Sequence, residues 1–358
     1  MTGTGLRELL FKVLLSPVAI LYGLGITVRN QLYDQGILKS TRFSVPVIGI
    51  GNLTVGGAGK TPHVEYLIRL LSPYLEMATL SRGYKRKTRG FRIIRRSDDA
   101  LTAGDEPLQY FLKYKQVKVA VSESRSLGIP LLMDQYPETQ VILLDDSYQH
   151  RSVTPAINIL LTEYSRPYST DQLLPVGRLR EWKSAADRAD IVIVTKCPED
   201  VGEAEMSRMS SDLQLESRQQ LYFSKYIYGS IYHLLKGVRG QLSNYDEIIL
   251  ITAIANESYL LDYVRQHCDQ VYPMSYEDHH IFSAHDLSVL GHQYRELSSE
   301  RKCIITTEKD ATRLFLHKGF INDKDLPIYI LPIAVEFLGD KGVSFNTDVR
   351  DRLLAFQS

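Results

Sequence analysis

The sequence predicts an α/β fold: a largely parallel sheet flanked by helices and bearing a phosphate-binding loop, followed by a second, smaller α/β domain. Three observations predict it. From Val45 onward, short β-branched runs alternate with longer helical ones, the pattern of βα units laid on a parallel sheet. Runs such as VILLDD and IVIVTK are hydrophobic throughout rather than at alternate positions, which makes them central strands covered on both faces. A glycine-rich loop stands directly between the strand VIGI and a helical pattern, the context a P-loop of the NTPase type requires.

The elements follow in order. Residues 1–40 read as an apolar, amphipathic helical segment belonging to the first domain. Its apolar run, Val13 to Val28, has sixteen residues interrupted by Pro17, Gly23 and Gly25, short of the ~20 a spanning helix needs. Arg7, Glu8 and Lys12 precede it without a small-x-small cleavage site, so a secretory signal is not expected either. A helix lying at a lipid interface and a helix packed on its own domain both fit.

The strands VPVIGIGN, EMATLSRG, VKVAV, VILLDD, INILLTE and IVIVTK, with the helices HVEYLIRLL, LQYFLKY, IPLLMDQY and EDVGEAEMSRMSSDLQLES, build a nucleotide-binding domain over 41–220. The stretch LYFSKYIYGSIYHL alternates like an exposed strand or hairpin and serves as a linker over 221–238. After the polar break GVRGQLSNYDE, a second series (IILITAI, SYLLDYVRQHC, QVYPMSY, HDLSVLGHQYREL, CIITT, ATRLFLHKG, IYILPI) makes the smaller domain of 239–358.

Composition narrows the function. A chain of 358 residues with 44% hydrophobic and 23% charged residues has the size of two domains and the make-up of a folded globular protein. Lys plus Arg, 42, equals Asp plus Glu, 42, so there is no basic field to bind nucleic acid. Cys197, Cys268 and Cys303 are widely spaced with no CxxC pair, against a disulfide framework or thiolate zinc site and in favour of a reducing, cytosolic compartment.

The strongest chemical signal is Gly51-Asn52-Leu53-Thr54-Val55-Gly56-Gly57-Ala58-Gly59-Lys60-Thr61. Thr54, Val55, Gly56, Gly57, Ala58 and Gly59 form the nucleotide-binding loop, whose backbone N–H groups wrap phosphates. Lys60 reaches the β and γ oxygens, and the Thr61 hydroxyl can ligate Mg²⁺ at the helix N-terminus. Thr54 stands where the pattern G-x-x-x-x-G-K-[ST] has its first glycine; Gly56, Gly57 and Gly59 supply the backbone freedom. The strand VILLDD ends in Asp145-Asp146, the acidic metal partner a P-loop enzyme needs. By themselves, Gly104-Asp105-Glu106-Pro107 is explained by helix capping, and Asp278-His279-His280 by a loop before the capping box that starts at Ser283.

Taken together, GNLTVGGAGKTP, SRGY, GDEP, LLDDSYQHR, LLPVGRLRE, EDHH and TTEKD, in that order, resemble the tetraacyldisaccharide 4′-kinase family of Gram-negative bacteria. Where the family usually shows DDGLQH this chain has Asp145-Asp146-Ser147-Tyr148-Gln149-His150, and Arg178 follows Gly177 where the family often has Pro. The resemblance implies transfer of the ATP γ-phosphate to the 4′-hydroxyl of a tetraacylated disaccharide 1-phosphate, by a peripheral enzyme on the cytoplasmic face of the inner membrane. It implies Asp105 as the base with His279 as its partner across the interdomain cleft, His280 being the rival that spacing does not separate. It also implies Glu106 as a helper at the metal beside Thr61, Asp145 and Asp146. Arg125 and Arg180 are expected around the transferring phosphate, and Gln149, His150 and Glu181 against the substrate. Two other readings compete: a membrane-associated MinD-like switch ATPase acting by partner binding, which usually has a lysine at the position of Val55, and a soluble small-molecule kinase or ligase on the same scaffold.

Overall fold

A computed structural model describes residues 3–339 and 341–357, with side chains from Lys12 onward. The elements run α1 Gly3–Asp34, β1 Val47–Asn52, α2 Lys60–Leu71, β2 Met77–Ser81, β3 Arg92–Ile93, α3 Ala100–Ala103, α4 Asp105–Lys113, β4 Lys118–Val121, α5 Arg125–Gln135, β5 Val141–Leu144, β6 Ile157–Glu163 and β7 Ile191–Thr195. They continue with α6 Glu203–Leu213, β8 Gln220–Tyr228, β9 Ile231–His233, β10 Arg239–Gly240, β11 Glu247–Thr252, α7 Ser258–Arg265, β12 Gln270–Ser275, α8 Ala284–Glu296, β13 Lys302–Thr307, α9 Glu308–Leu314, α10 Lys318–Asp323, β14 Ile328–Leu331, β15 Ile333–Phe337 and α11 Lys341–Leu354.

Two compact units result, and their boundaries differ from the contiguous ones expected. Unit 1 comprises Met1–Arg82, Ser122–Tyr226 and Val335–Ser358; unit 2 comprises Gly83–Val121 and Ile227–Ala334. The segment 83–121 is therefore grouped with residues 227–334, and the chain end returns to the unit that holds the glycine-rich loop. The stretch LYFSKYIYGSIYHL is not a hairpin: β8 runs parallel to β7, whereas β9 pairs antiparallel with β14 and β10 in another sheet.

Unit 1 carries the strand order β15-β8-β7-β6-β1-β5-β2. Its central pairs are parallel, β1 with β5 (Val47↔Ile142) and with β6 (Ile48↔Ile157). Every residue of β1, β5 and β7 is buried, as continuous hydrophobicity predicts for strands covered on both faces. Leu160, Val192, Val194, Leu213 and Phe223 close one face. Because β1 is central and parallel to β5, the loop leaving β1 and the Asp145-Asp146 pair leaving β5 emerge at the same carboxyl edge, where ligands of open α/β sheets bind.

Unit 2 carries β10-β9-β14-β13-β11-β12, in which β11 pairs parallel with β12 and β13, and β13 with β14. Ile249, Ile251, Leu287, Leu290 and Leu314 fill one side, and Ile248, Leu250, Leu260 and Val264 the other. The three cysteines are free and buried.

Helix α1 is longer than its sequence announces. Pro17 lies inside it, and the Ser16 hydroxyl donates to the Lys12 carbonyl at 2.7 Å beside the N–H that proline lacks. From Lys12 to Asp34, 23 residues, the helix is long and apolar enough to cross a membrane by length and composition. The side chains of Arg7 and Glu8 lie outside those described. Gly23 is a packing site: a Cβ there would come within 2.4 Å of the Trp182 ring, whose Nε1 donates to Thr27 Oγ1 at 3.0 Å. Tyr22 donates to the Arg180 carbonyl at 3.0 Å and Arg29 to that of Gln149 at 2.9 Å. This face holds α1 on unit 1, while Val13, Leu14, Val18, Leu21, Leu24 and Val28 are exposed. Gly23→Val is expected to force the Trp182 ring out and to lower stability by about 1–3 kcal/mol, the usual cost of overpacking; a urea midpoint equal to the parent's would show that Trp182 does not anchor the helix.

Candidate active site

The glycine-rich loop owes its shape to two left-handed glycines, Gly56 at φ 109° and Gly59 at φ 84°. Gly59 is the N-cap of α2. At Gly56 a side chain would also meet the Arg178 guanidinium at 2.3 Å, so positive φ and space agree on glycine. The segment LLPVGRLRE lines the loop: the Val55 amide donates to the Arg178 carbonyl at 2.8 Å and the Arg180 amide to that of Leu53 at 2.7 Å. Lys60 Nζ lies 3.0 Å from Asn52 Oδ1 and 3.5 Å from Asp146 Oδ1. Arg180 Nη2 reaches the Asn52 carbonyl at 2.8 Å, Asn52 Oδ1 at 2.7 Å and Asp146 Oδ1 at 3.1 Å. Asn52, which sequence reasoning passed over, thus fixes both cations; its place as a polar residue ending the buried strand β1 was the available signal.

Asp146 has φ 46°, in the left-handed region that most non-glycine residues avoid and aspartate enters more readily than most. Burial acts to raise its pKa, but Lys60, Arg180 and Arg125 outweigh this and keep the carboxyl well below the usual carboxylate range. Asp145 is buried, and its carbonyl accepts from Arg125 Nη2 at 3.1 Å. Arg125 is fully buried, with Nε and Nη1 lacking hydrogen-bond partners. Buried donors of this kind are costly unless something meets them. His150 is lowered to about 4 by burial and the neighbouring Arg125, so it is neutral at pH 7.

Two expected substrate residues have structural ties. Gln149 Nε2 donates to the Asn52 carbonyl at 3.0 Å. Glu181 is wholly buried, with Oε2 taken by Arg188 at 3.0 Å and Asn30 at 2.9 Å and Oε1 by Arg188 at 3.1 Å; these are the contacts of an anchor for α1.

The second cluster lies entirely in unit 2, so Asp105 and His279 do not face each other from separate units as the sequence division implied. Gly83 and Gly104 approach backbone to backbone: a Cβ on Gly104 would lie 3.0 Å from the Gly83 Cα, and φ is +68° and +90°. That contact explains the glycines of SRGY and GDEP and places Tyr84, whose ring centroid is 4.9 Å from that of His279. Asp105, buried at the start of α4, meets His279 Nδ1 at 2.9 Å and the Arg313 Nε at 3.5 Å. His279 has φ 60° and its amide donates to the Ala253 carbonyl at the end of β11. His280 turns elsewhere, to Asp286 Oδ2 at 2.9 Å and a stacked Tyr276, which separates the two adjacent histidines. Glu106 Oε1 pairs with Lys309 Nζ at 3.2 Å. Burial would raise Glu106, yet Lys309 and His279 lower it below its ordinary value. Burial would likewise lower Lys309, yet Glu106, Asp278 and Asp105 raise it. In TTEKD, Thr307 caps α9 by accepting from the Asp310 amide, and Asp310 and Arg313 pair in full burial.

A central parallel sheet, a strand–loop–helix ending in Gly-Lys-Thr, and an ionised carboxylate at the same edge define a P-loop phosphotransferase architecture. Residues 11–353 match the family described as tetraacyldisaccharide-1-P 4′-kinase, and the chain belongs to that family of lipid A biosynthesis kinases. A tetraacyldisaccharide 4′-kinase of Bacteroides thetaiotaomicron is 43% identical over 348 residues, 94% of this chain and 91% of that protein. One of Flavobacterium johnsoniae is 43% identical over 332 residues, 92% and 94% respectively. The solved structure of LpxK from Aquifex aeolicus in complex with ATP superposes with a TM-score of 0.73 at 26% identity, covering 96% of this chain and 99% of that one. The resemblance carried by the ordered motifs and the α/β class are both borne out.

Proposed function

We propose that this chain transfers the γ-phosphate of ATP to the 4′-hydroxyl of a tetraacyldisaccharide 1-phosphate, giving the 1,4′-bisphosphate. The observation that supports it most is the Asp105–His279 pair, 2.9 Å apart with the carboxylate buried, in a family whose P-loop already accounts for nucleotide binding. On unit 1, the amides of the 54–59 loop and Lys60 hold the β and γ phosphates, and Arg125 and Arg180 meet negative charge on the transferring group. Thr61 and Asp146, with Asp145 adjacent, are oxygen donors suited to Mg²⁺, and the cations around Asp146 keep it ionised. Bound there, the ion would neutralise charge on the phosphate oxygens.

On unit 2, Asp105 accepts the proton as the sugar O–H bond breaks and the new O–P bond forms; the bond from Pγ to the β–γ bridging oxygen breaks, and ADP leaves with that electron pair. His279 orients the carboxylate. The exposed apolar side chains of α1 rest on the bilayer at the cytoplasmic face of the inner membrane, where an acylated acceptor resides.

The test is transfer of labelled γ-phosphate to tetraacyldisaccharide 1-phosphate in detergent micelles. A bisphosphorylated lipid is expected. Absence of lipid product, with ATP hydrolysis stimulated by bare vesicles, would favour the MinD-like switch.

A further inference from the structure

We propose that Lys309 is a positioning residue: by donating to His279 Nε2 it fixes the imidazole as the neutral tautomer with its hydrogen on Nδ1, and so makes Asp105 the group that takes the proton. The inference deepens the kinase reading and rests on it for its catalytic consequence, though not for its structural content.

The argument is one of donors and acceptors. A lysine ammonium has three N–H donors and no acceptor. Lys309 Nζ has three neighbours at donating distance or near it: Glu106 Oε1 at 3.2 Å, Asp278 Oδ1 at 3.5 Å and His279 Nε2 at 3.0 Å. Two are carboxylates that accept only, which leaves the third hydrogen for Nε2, and a nitrogen that accepts a hydrogen bond carries no hydrogen. Nδ1 of a neutral ring must then be the protonated nitrogen, and it faces Asp105 Oδ2 at 2.9 Å. An imidazolium would turn an N–H towards the ammonium, a contact without an acceptor.

The other charged groups facing the ring agree with this order. Glu106 and Asp278 approach Nε2 at 4.0 and 3.8 Å, but both are shared with Lys309. Arg313 Nε, 3.5 Å from Asp105, stabilises the carboxylate as an anion. The chain Lys309–His279–Asp105 therefore runs in one direction, each member donating to the next. It repeats the logic by which a third group holds a catalytic histidine in one tautomer, with a cation on the far nitrogen in place of a carboxylate.

The experiment uses the full-length protein in micelles with ¹⁵N-labelled histidine. Long-range ¹H–¹⁵N correlations are recorded without nucleotide, and the His279 signals are assigned by their loss in His279→Gln. The expected result is a pyrrole-type Nδ1 and a pyridine-type Nε2. The reverse pattern, or an imidazolium pattern at neutral pH, overturns the proposal whether or not the protein proves to be a kinase, and the parent spectrum alone decides this. Lys309→Met is expected to move the hydrogen partly to Nε2 and to lower kcat about 10- to 100-fold, the usual effect of losing an outer-shell orienting partner, with the KM for ATP unchanged. Lys309→Arg, which retains a donor, should recover the parent tautomer and part of kcat. A Lys309→Met protein with the parent spectrum and parent kcat also overturns the proposal.

Discussion

Asp105→Asn is expected to lower kcat for lipid phosphorylation by about 10³-fold, within the ~10²–10⁴ that a positioned general base contributes, while the KM for ATP stays near the parent value. Asparagine keeps the shape of the side chain, so the start of α4 and the glycine contact before it are preserved, and its amide oxygen can still accept from His279 Nδ1. What it loses is basicity. It also leaves Arg313 with Asp310 as its remaining carboxylate partner in a fully buried position. Some loss of stability should accompany the change, because the charge of a buried guanidinium is then less well met. A urea titration separates the two effects: the catalytic loss persists under conditions where the variant is fully folded. His279→Gln should cost less, about 10- to 100-fold, since in the proposed mechanism the histidine orients the base and does not accept the proton. A kcat for Asp105→Asn within about threefold of the parent, a change well under 1 kcal/mol, would remove Asp105 from the role of base.

The nucleotide-binding half was legible because its signals are contiguous. One stretch of eleven residues, Gly51 to Thr61, holds the strand end, the left-handed glycines and the helix start, and local rules suffice to read it. The Asp105–His279 pair is the opposite case. Its members are 174 residues apart, capping and loop chemistry explained each one alone, and only a family resemblance joined them. Spacing could not choose between His279 and His280; three dimensions can, because the capping-box aspartate Asp286 claims His280. The excursion 83–121 shows the limit of reading along the chain: its helix and strand are legible from hydrophobic period, but period fixes an element's type and not the compact unit it packs into. Gly23 counted against a long helix by propensity, whereas it serves as the seat of the Trp182 ring. Lys309 stayed hidden for a related reason: a lysine in the first turn of a helix looks like a solvated surface charge, and its partners Glu106 and His279 come from other parts of the chain.

Lys60→Met should give a still larger loss, with kcat/KM for ATP falling by roughly 10³-fold or more, in the range known for a cation that stabilises phosphoryl-transfer charge. Methionine preserves most of the aliphatic stem and removes only the charge. In the parent that charge is held between Asn52 Oδ1 at 3.0 Å and Asp146 Oδ1 at 3.5 Å, and a cation fixed in this way needs little reorganisation as charge develops on the γ-phosphate. The loop should survive the substitution. Arg180 still ties Asn52 to Asp146 through Nη2, and the Val55 and Arg180 amides still donate to the Arg178 and Leu53 carbonyls. Nucleotide affinity, measured with a fluorescent ATP analogue, is therefore expected to fall by less than kcat, because the backbone amides that cradle the phosphates remain. Equal losses in affinity and kcat/KM with kcat intact would assign Lys60 to ground-state binding. A dominant loss in kcat assigns it to the transition state, the outcome that a lysine already held against Asn52 and an ionised Asp146 leads one to expect.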